Sequence, residues 1–224
     1  MSQGLGTHRW LLRRRFNKDL ATVLPHAKGR MLDVGCGIKP FEAMFKGHVD
    51  RHDGVDMMQT LDVRGTRADV FAVAGVLPFA NESFDTVLCT QMLDDVPEPV
   101  VVLDEIRRVL KPGGKLILTI NQMYPVHDPP HDYYRFTRYG LEHIVKKANL
   151  TPVFFRAIGG AWLTAGALIL MRSWDLWGKI PLLGKLTFIP ALFGLIWGTF
   201  FDVMDRLDVN WAGAPFLLMV AEKT

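Results

Sequence analysis

Two stretches of the chain carry residue types that could do chemistry. The first is Asp33-Val34-Gly35-Cys36-Gly37-Ile38-Lys39-Pro40, a glycine turn behind the apolar pair Met31 and Leu32. Glycines between a strand and a helix let a ligand approach bare backbone, and the start of a helix favours negative charge. A dinucleotide-binding turn has a third glycine three residues after the second, for close helix packing beside the pyrophosphate. Pro40 holds that place here. Asp56 lies 21 residues beyond Gly35, where a carboxylate at a strand end can accept both hydroxyls of a ribose. The pair reads as a site for a nucleoside without a pyrophosphate.

The second stretch, Tyr124 to Thr137, concentrates His127, Asp128, His131, Asp132, Tyr133, Tyr134 and Arg135. A histidine near neutral pKa is the natural group to take a proton from an acceptor. His131, steadied by Asp132 or Asp128, is the first candidate and His127 the second. The competing reading is that these His-Asp pairs only hydrogen-bond the loop into shape, with Tyr133 and Tyr134 as packing residues. No metal is expected, because Pro129-Pro130 prevents a helical pair of ligands four residues apart.

Both stretches need a scaffold, and the hydrophobic pattern predicts one. Residues 8–24 read as a basic helix with Trp10, Leu11, Leu20 and Val23 apolar. "RMLDV" reads as a buried strand, with a helix starting at Pro40. "DGVD", "ADVFAV" and "SFDTVLCT" read as the next three strands, the last a near-continuous apolar run of the buried parallel type. Val102, Leu103, Ile106, Val109 and Leu110 recur at helical spacing, and Lys111-Pro112-Gly113-Gly114 is expected to stop that helix. "KLILTIN" is a fifth strand. Thr137 can cap a helix with Leu141, Ile144, Val145 and Ala148 on one face. "PVFFRAI" and "FLLMVAEK" complete the set. Strands alternating with helices mean an α/β, doubly wound, Rossmann-like sheet.

At this point the chain resembles the class I S-adenosylmethionine-dependent methyltransferases with a type 11-like domain. Asp33 to Gly37 is similar to their "D-x-G-x-G" turn, and Asp56 to their acid ending strand two. "LPFANESFDTVLCTQML" and "LDEIRRVLKPGGKLILT" are similar to two further family motifs, in the same order. The resemblance implies a seven-stranded sheet with the last strand antiparallel, and S-adenosylmethionine across the ends of strands one, two and four. It further implies that Gly35 and Gly37 pass beneath the methionine portion and that Asp33 organises the turn. Asp56 would bind the ribose, Met57 flank adenine, and Gln91 lie near the methionine end. A sulfonium methyl is already activated, so such an enzyme mainly aligns its acceptor. Two positions depart from the family. Val73 stands where relatives often carry an acid facing the adenine amino group, and Leu93-Asp94-Asp95-Val96 stands where they often read "L-E-H-V". "PHDYYRFT" is similar to a subset of bacterial methyltransferase-like proteins.

Composition adds limits. The chain has 224 residues, a net charge of +3 and no long basic run, so no nucleic acid is expected as a partner. Cys36 and Cys89 fit neither a disulfide framework nor a metal set, which points to a reducing, cytoplasmic setting. Counted with glycine and without tyrosine, the apolar share is about 56%, above the 45–50% usual for soluble domains. The excess lies in Ala157 to Met171 and Leu186 to Phe201, each uncharged and shorter than a spanning helix. A spanning hairpin between strands six and seven would carry Arg172, Lys179 and Lys185 across, against the positive-inside tendency. The expected organisation is a basic helix (1–29), a methyltransferase domain (30–158 and 212–224) and an apolar helical insertion (159–211). Membrane-surface contact through 157–201 would make the chain membrane-associated and peripheral, with a small-molecule or lipid-linked acceptor. Packing on the sheet, or a homodimer face, is the competing use of that surface.

Two other classes of function compete. A catalytically inactive nucleoside-binding scaffold would keep the glycine turn and lack turnover. A nicotinamide oxidoreductase would need the glycine that Pro40 replaces.

Overall fold

The computed structural model describes residues 8–58, 65–127, 129–179, 188–208 and 210–224. Asp128 and Lys185 lie outside the described residues. The elements are α1 (His8–Leu20), β1 (Arg30–Val34), α2 (Glu42–Phe45), β2 (Arg51–Asp56), β3 (Val70–Phe71), β4 (Phe84–Thr90) and α3 (Pro99–Val109). They continue with β5 (Leu110–Asn121), α4 (Arg138–Lys147), β6 (Thr151–Ile158), α5 (Ala161–Gly178), α6 (Phe188–Leu207) and β7 (Phe216–Glu222). A 3-10 segment, Ala21–His26, links α1 towards β1, and a 3-10 turn, Leu93–Asp95, follows β4.

The seven strands form one sheet in the order β3-β2-β1-β4-β5-β7-β6. β1 pairs in parallel with β2 and β4, and β4 with β5. Gly113 and Lys223 meet near one end of β5, Gln122 and Pro215 at the other, so β7 runs antiparallel to β5. This is the Rossmann-like arrangement expected from the alternating pattern. The centre is apolar: Met31, Leu32, Val87, Leu88, Leu116 and Ile117 are fully buried. Strands buried on both faces carry such runs because helices cover the sheet.

The α3 helix starts on Pro99, whose missing N–H costs nothing in the first turn. It buries Val102, Leu103, Ile106 and Val109. The helix ends at Val109, and Leu110 to Gly114 already belong to β5, so the turn expected over Lys111 to Gly114 is part of the strand. Lys111 reaches Asp85 at 2.8 Å, and Asp85 also accepts from the Arg30 N–H at 3.0 Å, which ties the starts of β1, β4 and β5 together. α4 is capped by Thr137, whose hydroxyl accepts from the Gly140 N–H at 3.1 Å. Two elements are shorter than the pattern predicts. The helix after Pro40 is the single turn of α2, and the third strand is reduced to Val70–Phe71.

Contacts divide the molecule into two compact units. One holds the chain up to Leu20, Gln122–Tyr124 and Ala157–Phe216; the other holds Ala21–Asn121, Pro125–Arg156 and Leu217–Thr224. The first is built on α1, α5 and α6. The second contains most of the sheet and every residue considered as a catalytic or cofactor-binding candidate.

Candidate functional site

The site is assembled at the carboxyl ends of β1, β2 and β4. β1 delivers Asp33 and then the turn, in which Gly35 has φ +72° and Gly37 φ +48°. Both values lie in the left-handed region that side chains avoid. A Cβ on Gly35 would stand 2.6 Å from the Met92 side chain. Among the described residues nothing lies within 4 Å of the corresponding point on Gly37, so bare backbone faces open space there. The Gly35 and Cys36 N–H groups donate to the Val55 carbonyl, fastening the turn to β2.

Asp56 closes that frame. Its carboxylate accepts from the Gly37 N–H at 2.7 Å and from the Met57 N–H at 2.7 Å. Beyond it Met57 is exposed, and Val73 is exposed as well. The residues present therefore suit a nucleoside cofactor: an acid at the strand end, bare backbone beside it, and an apolar side chain next to both.

Lys39 explains part of the departure from a glycine-rich helix start. It has φ +52° and is buried, and its ammonium donates to Asp69 at 2.6 Å and to the His52 carbonyl at 3.2 Å. Its Cε stands 2.5 Å from where a Cβ on Gly54 would be, so Gly54 makes room for the stem. Asp33 is buried and faces His52 Nε2 at 3.1 Å. Desolvation pushes the Asp33 carboxyl above the usual carboxylate range, with the bond from His52 opposing it. Burial also pushes the Cys36 thiol up to about 12 and raises that of Cys89, which removes thiolate chemistry.

The second half of the site hangs on β4 and the loop after β5. Gln91 follows β4 with φ +52°, and its side chain donates to the Thr119 hydroxyl at 3.2 Å. Asp94 is 0% exposed and accepts from the Asn121 side chain. Desolvation raises its carboxyl above the usual range. The Asp94 carbonyl accepts from the N–H groups of Tyr133 and Tyr134, which pins the loop to the end of β4. Tyr134 also donates its hydroxyl to the Pro97 carbonyl at 2.8 Å.

Within the loop Asp132 is the hub. Arg135 grips it with both terminal nitrogens, and the His127 N–H donates to it at 3.0 Å. The Arg135 guanidinium, foremost, holds the Asp132 carboxyl down at about 2. His127 Nδ1 lies 3.2 Å from Asp132, and Nε2 lies 3.9 Å from Asp95. The structure thus brings His127 and Asp132 together. His131 is exposed and no hydrogen bond or ion pair joins it to another described residue. Among the described residues, Asp94, Asp95 and His127 are the one group whose atoms could ligate a metal, lying within 4.8 Å of one another. Asp94, Asp95, Arg135 and Lys39 take part here without having been singled out as site residues. An acid pair directly after a buried strand is the signal that could have found the first two.

Known proteins resemble this chain over the strands that carry the site. A family model described as a methyltransferase domain matches residues 32–118. A ubiquinone biosynthesis O-methyltransferase of Cereibacter sphaeroides is 29% identical, with 66% of this chain and 72% of the relative covered. One of that name from Xanthomonas oryzae is 36% identical over 43% of this chain and 45% of its own length. Among solved structures, a possible histamine N-methyltransferase of Thermotoga maritima has a TM-score of 0.59 at 18% identity, covering 97% of this chain and 91% of its own. Phosphoethanolamine N-methyltransferase 2 of Haemonchus contortus, solved with S-adenosyl-L-methionine, has a TM-score of 0.59 at 18% identity, covering 93% and 52%. These structural likenesses bear on the fold. With the motif order, the sheet order and the matched domain in agreement, residues 32–118 belong to a methyltransferase domain of the class I S-adenosylmethionine-dependent type.

Proposed function

We propose that the chain moves a methyl group from S-adenosylmethionine to an oxygen of a small apolar or lipid-borne acceptor. The single observation that carries the cofactor half is the Asp56 carboxylate gathering the Gly37 and Met57 amides around bare backbone. Relatives named for ubiquinone biosynthesis O-methylation support the oxygen and the apolar acceptor. The bound cofactor supplies a methyl group already activated on a sulfonium centre. In this reading Asp56 holds the ribose hydroxyls, Gly35 and Gly37 admit the methionine portion, and Asp33 keeps the turn in place through His52. Met57 covers the adenine and Gln91 borders the methionine end.

The acceptor's proton falls to the loop after β5. His127 is the better-placed base: its ring is held against Asp132 at 3.2 Å, and Arg135 keeps Asp132 ionised. His131 remains the exposed alternative. We read 30–158 with 212–224 as the catalytic domain and 159–211 as an insertion that brings it to an apolar surface. No described helix is long and apolar enough to cross a membrane, which suits peripheral contact in a cytoplasmic enzyme. The test is incubation with methyl-labelled cofactor and a lipid extract, followed by identification of the labelled product. Calorimetry with S-adenosylmethionine and with NADH runs alongside. Binding of NADH alone, or label in no oxygen-bearing lipid, would remove the proposal.

A further inference from the structure

In the unit formed by α1, α5 and α6 the interior holds Leu11, Leu12, Phe16, Leu163, Leu170 and Phe201, but α6 also turns a broad apolar face outward. On α6, Gly194, Gly198, Asp202 and Asp205 are buried, while Leu192, Phe193, Ile196, Phe200, Val203 and Leu207 are not. The second set recurs one, three or four residues apart and shares one helical face. A helix facing water shows the reverse: apolar side chains inward, polar ones outward.

The two buried acids of α6 both face Arg15, though Asp205 Oδ2 makes no hydrogen bond among the described residues. Asp205 accepts from the Leu163 N–H at 3.1 Å, serving the first turn of α5, and Arg15 of α1 lies 3.9 Å from it. Asp202 pairs with Arg206 and faces Arg15 at 3.6 Å. Glycines let the helices approach: a Cβ on Gly166 would meet the Phe201 ring at 2.6 Å. Small residues at helix contacts, with charges satisfied inside the bundle, are how helices pack when the surroundings are apolar.

The charge pattern selects the occupant of the outward face. On α1, Arg9, Arg13, Arg14 and Lys18 are exposed, whereas its acid, Asp19, is buried. Such a helix complements anionic headgroups and would repel the same helix on a second copy. Trp197 and Trp211 are each about two-fifths exposed, and indoles favour headgroup depth.

We propose that α6 lies in the plane of an anionic lipid surface, with its outward face among the acyl chains and the cations of α1 at the phosphates. The inference deepens the methyltransferase reading and rests on it for the acceptor's origin; the lipid contact itself rests on these helices. The test is flotation of the full chain with phosphatidylglycerol–phosphatidylcholine vesicles and with phosphatidylcholine alone, at low and high salt. The chain should float with the anionic vesicles. Ile196→Glu with Phe200→Glu should weaken binding at least about tenfold, since two buried apolar side chains are lost. Arg13→Glu with Arg14→Glu should remove the salt-sensitive part, and Trp fluorescence should shift to the blue on binding.

No flotation with anionic vesicles at low salt would overturn the inference. So would a dimer in sedimentation that the Ile196→Glu, Phe200→Glu variant separates. Calorimetry with S-adenosylmethionine tells the two readings apart. Cofactor binding without vesicle binding removes the lipid contact alone, and vesicle binding without cofactor binding removes the methyltransferase reading alone.

Discussion

In the sheet unit, Leu32, Val87 and Ile117 are fully buried and the carboxylates of Asp56 and Asp132 stand at strand ends and in loops. In the helical unit, Asp202 and Asp205 are buried while Ile196 is 60% and Leu207 76% exposed. The first arrangement minimises apolar contact with water while burying acids of its own, Asp56 as deeply as Asp202 is in the other unit. The second satisfies polar groups internally and leaves the apolar ones for a different solvent. Each variant below either breaks that contrast or sharpens it.

The largest effect belongs to Asp56→Ala. The change removes two charged hydrogen bonds from the turn and the proposed ribose contact, at roughly 1.5–3 kcal/mol for each such bond. Calorimetry should show cofactor affinity reduced about 10³-fold. An unchanged affinity would mean that the turn does not hold the cofactor. Next comes His127→Ala, expected to lower turnover about 10²-fold while cofactor affinity stays as it was. His131→Ala should lower turnover less and also spare binding. If the two effects are reversed, the exposed histidine is the base and the fixed one serves the loop.

Gly166→Leu strikes the other unit. The new side chain would collide with Phe201, and overpacking of this kind costs about 1–3 kcal/mol. Calorimetric melting should move down by several degrees with cofactor affinity intact. A melting temperature that stays put would mean that the glycine contact between α5 and α6 is loose.

The acid limb of stability should report on Asp132. Its carboxyl is held at about 2 in the folded chain, below the ordinary 3.8. A depressed folded value stabilises above the unfolded value and is lost as pH falls through the folded one. Tyrosine near-ultraviolet circular dichroism should therefore lose the ordered loop as pH drops from about 4 towards 2. Asp132→Asn should already be weakened at neutral pH and show no such limb.

The fold was legible in the sequence because parallel strands buried on both faces produce apolar runs that water cannot tolerate elsewhere. β1, β4 and β5 fall where "RMLDV", "SFDTVLCT" and "KLILTIN" predict them. The ends of elements were harder. Leu110 to Gly114 contains the residues of a turn, yet hydrogen bonds with Lys223, just past β7, draw Gly113 and Gly114 into a strand. The family motifs also have a mutual cause that spacing alone does not reveal. Glu105 accepts from the Leu77 N–H, and Arg108 donates to the carbonyls of Leu77 and Phe79, so "LPF" and "E-x-x-R" hold each other. In the site, Gly35 and Asp56 could be named because a strand-end turn demands those types, and Asp33 from the resemblance to the family's turn. Arg135 could not, since its role comes from its contacts with Asp132 and Pro125 within the loop after β5.

Lys39→Met gives the smallest expected effect and the finest test of the contrast. The ammonium is buried, but its partner Asp69 has half its side chain in water, at 51% exposure. Removing the lysine charge therefore leaves a carboxylate that solvent can reach rather than one stranded in the core. Methionine can follow the same path over Gly54, where no Cβ competes for the space. Stability should change by about 1 kcal/mol or less, and cofactor affinity by less than about threefold. Urea unfolding and cofactor calorimetry on the same preparation measure both. A collapse of affinity with stability preserved would give Lys39 a direct part in holding the cofactor, and the polar groups beneath the glycine turn would then count as site rather than scaffold.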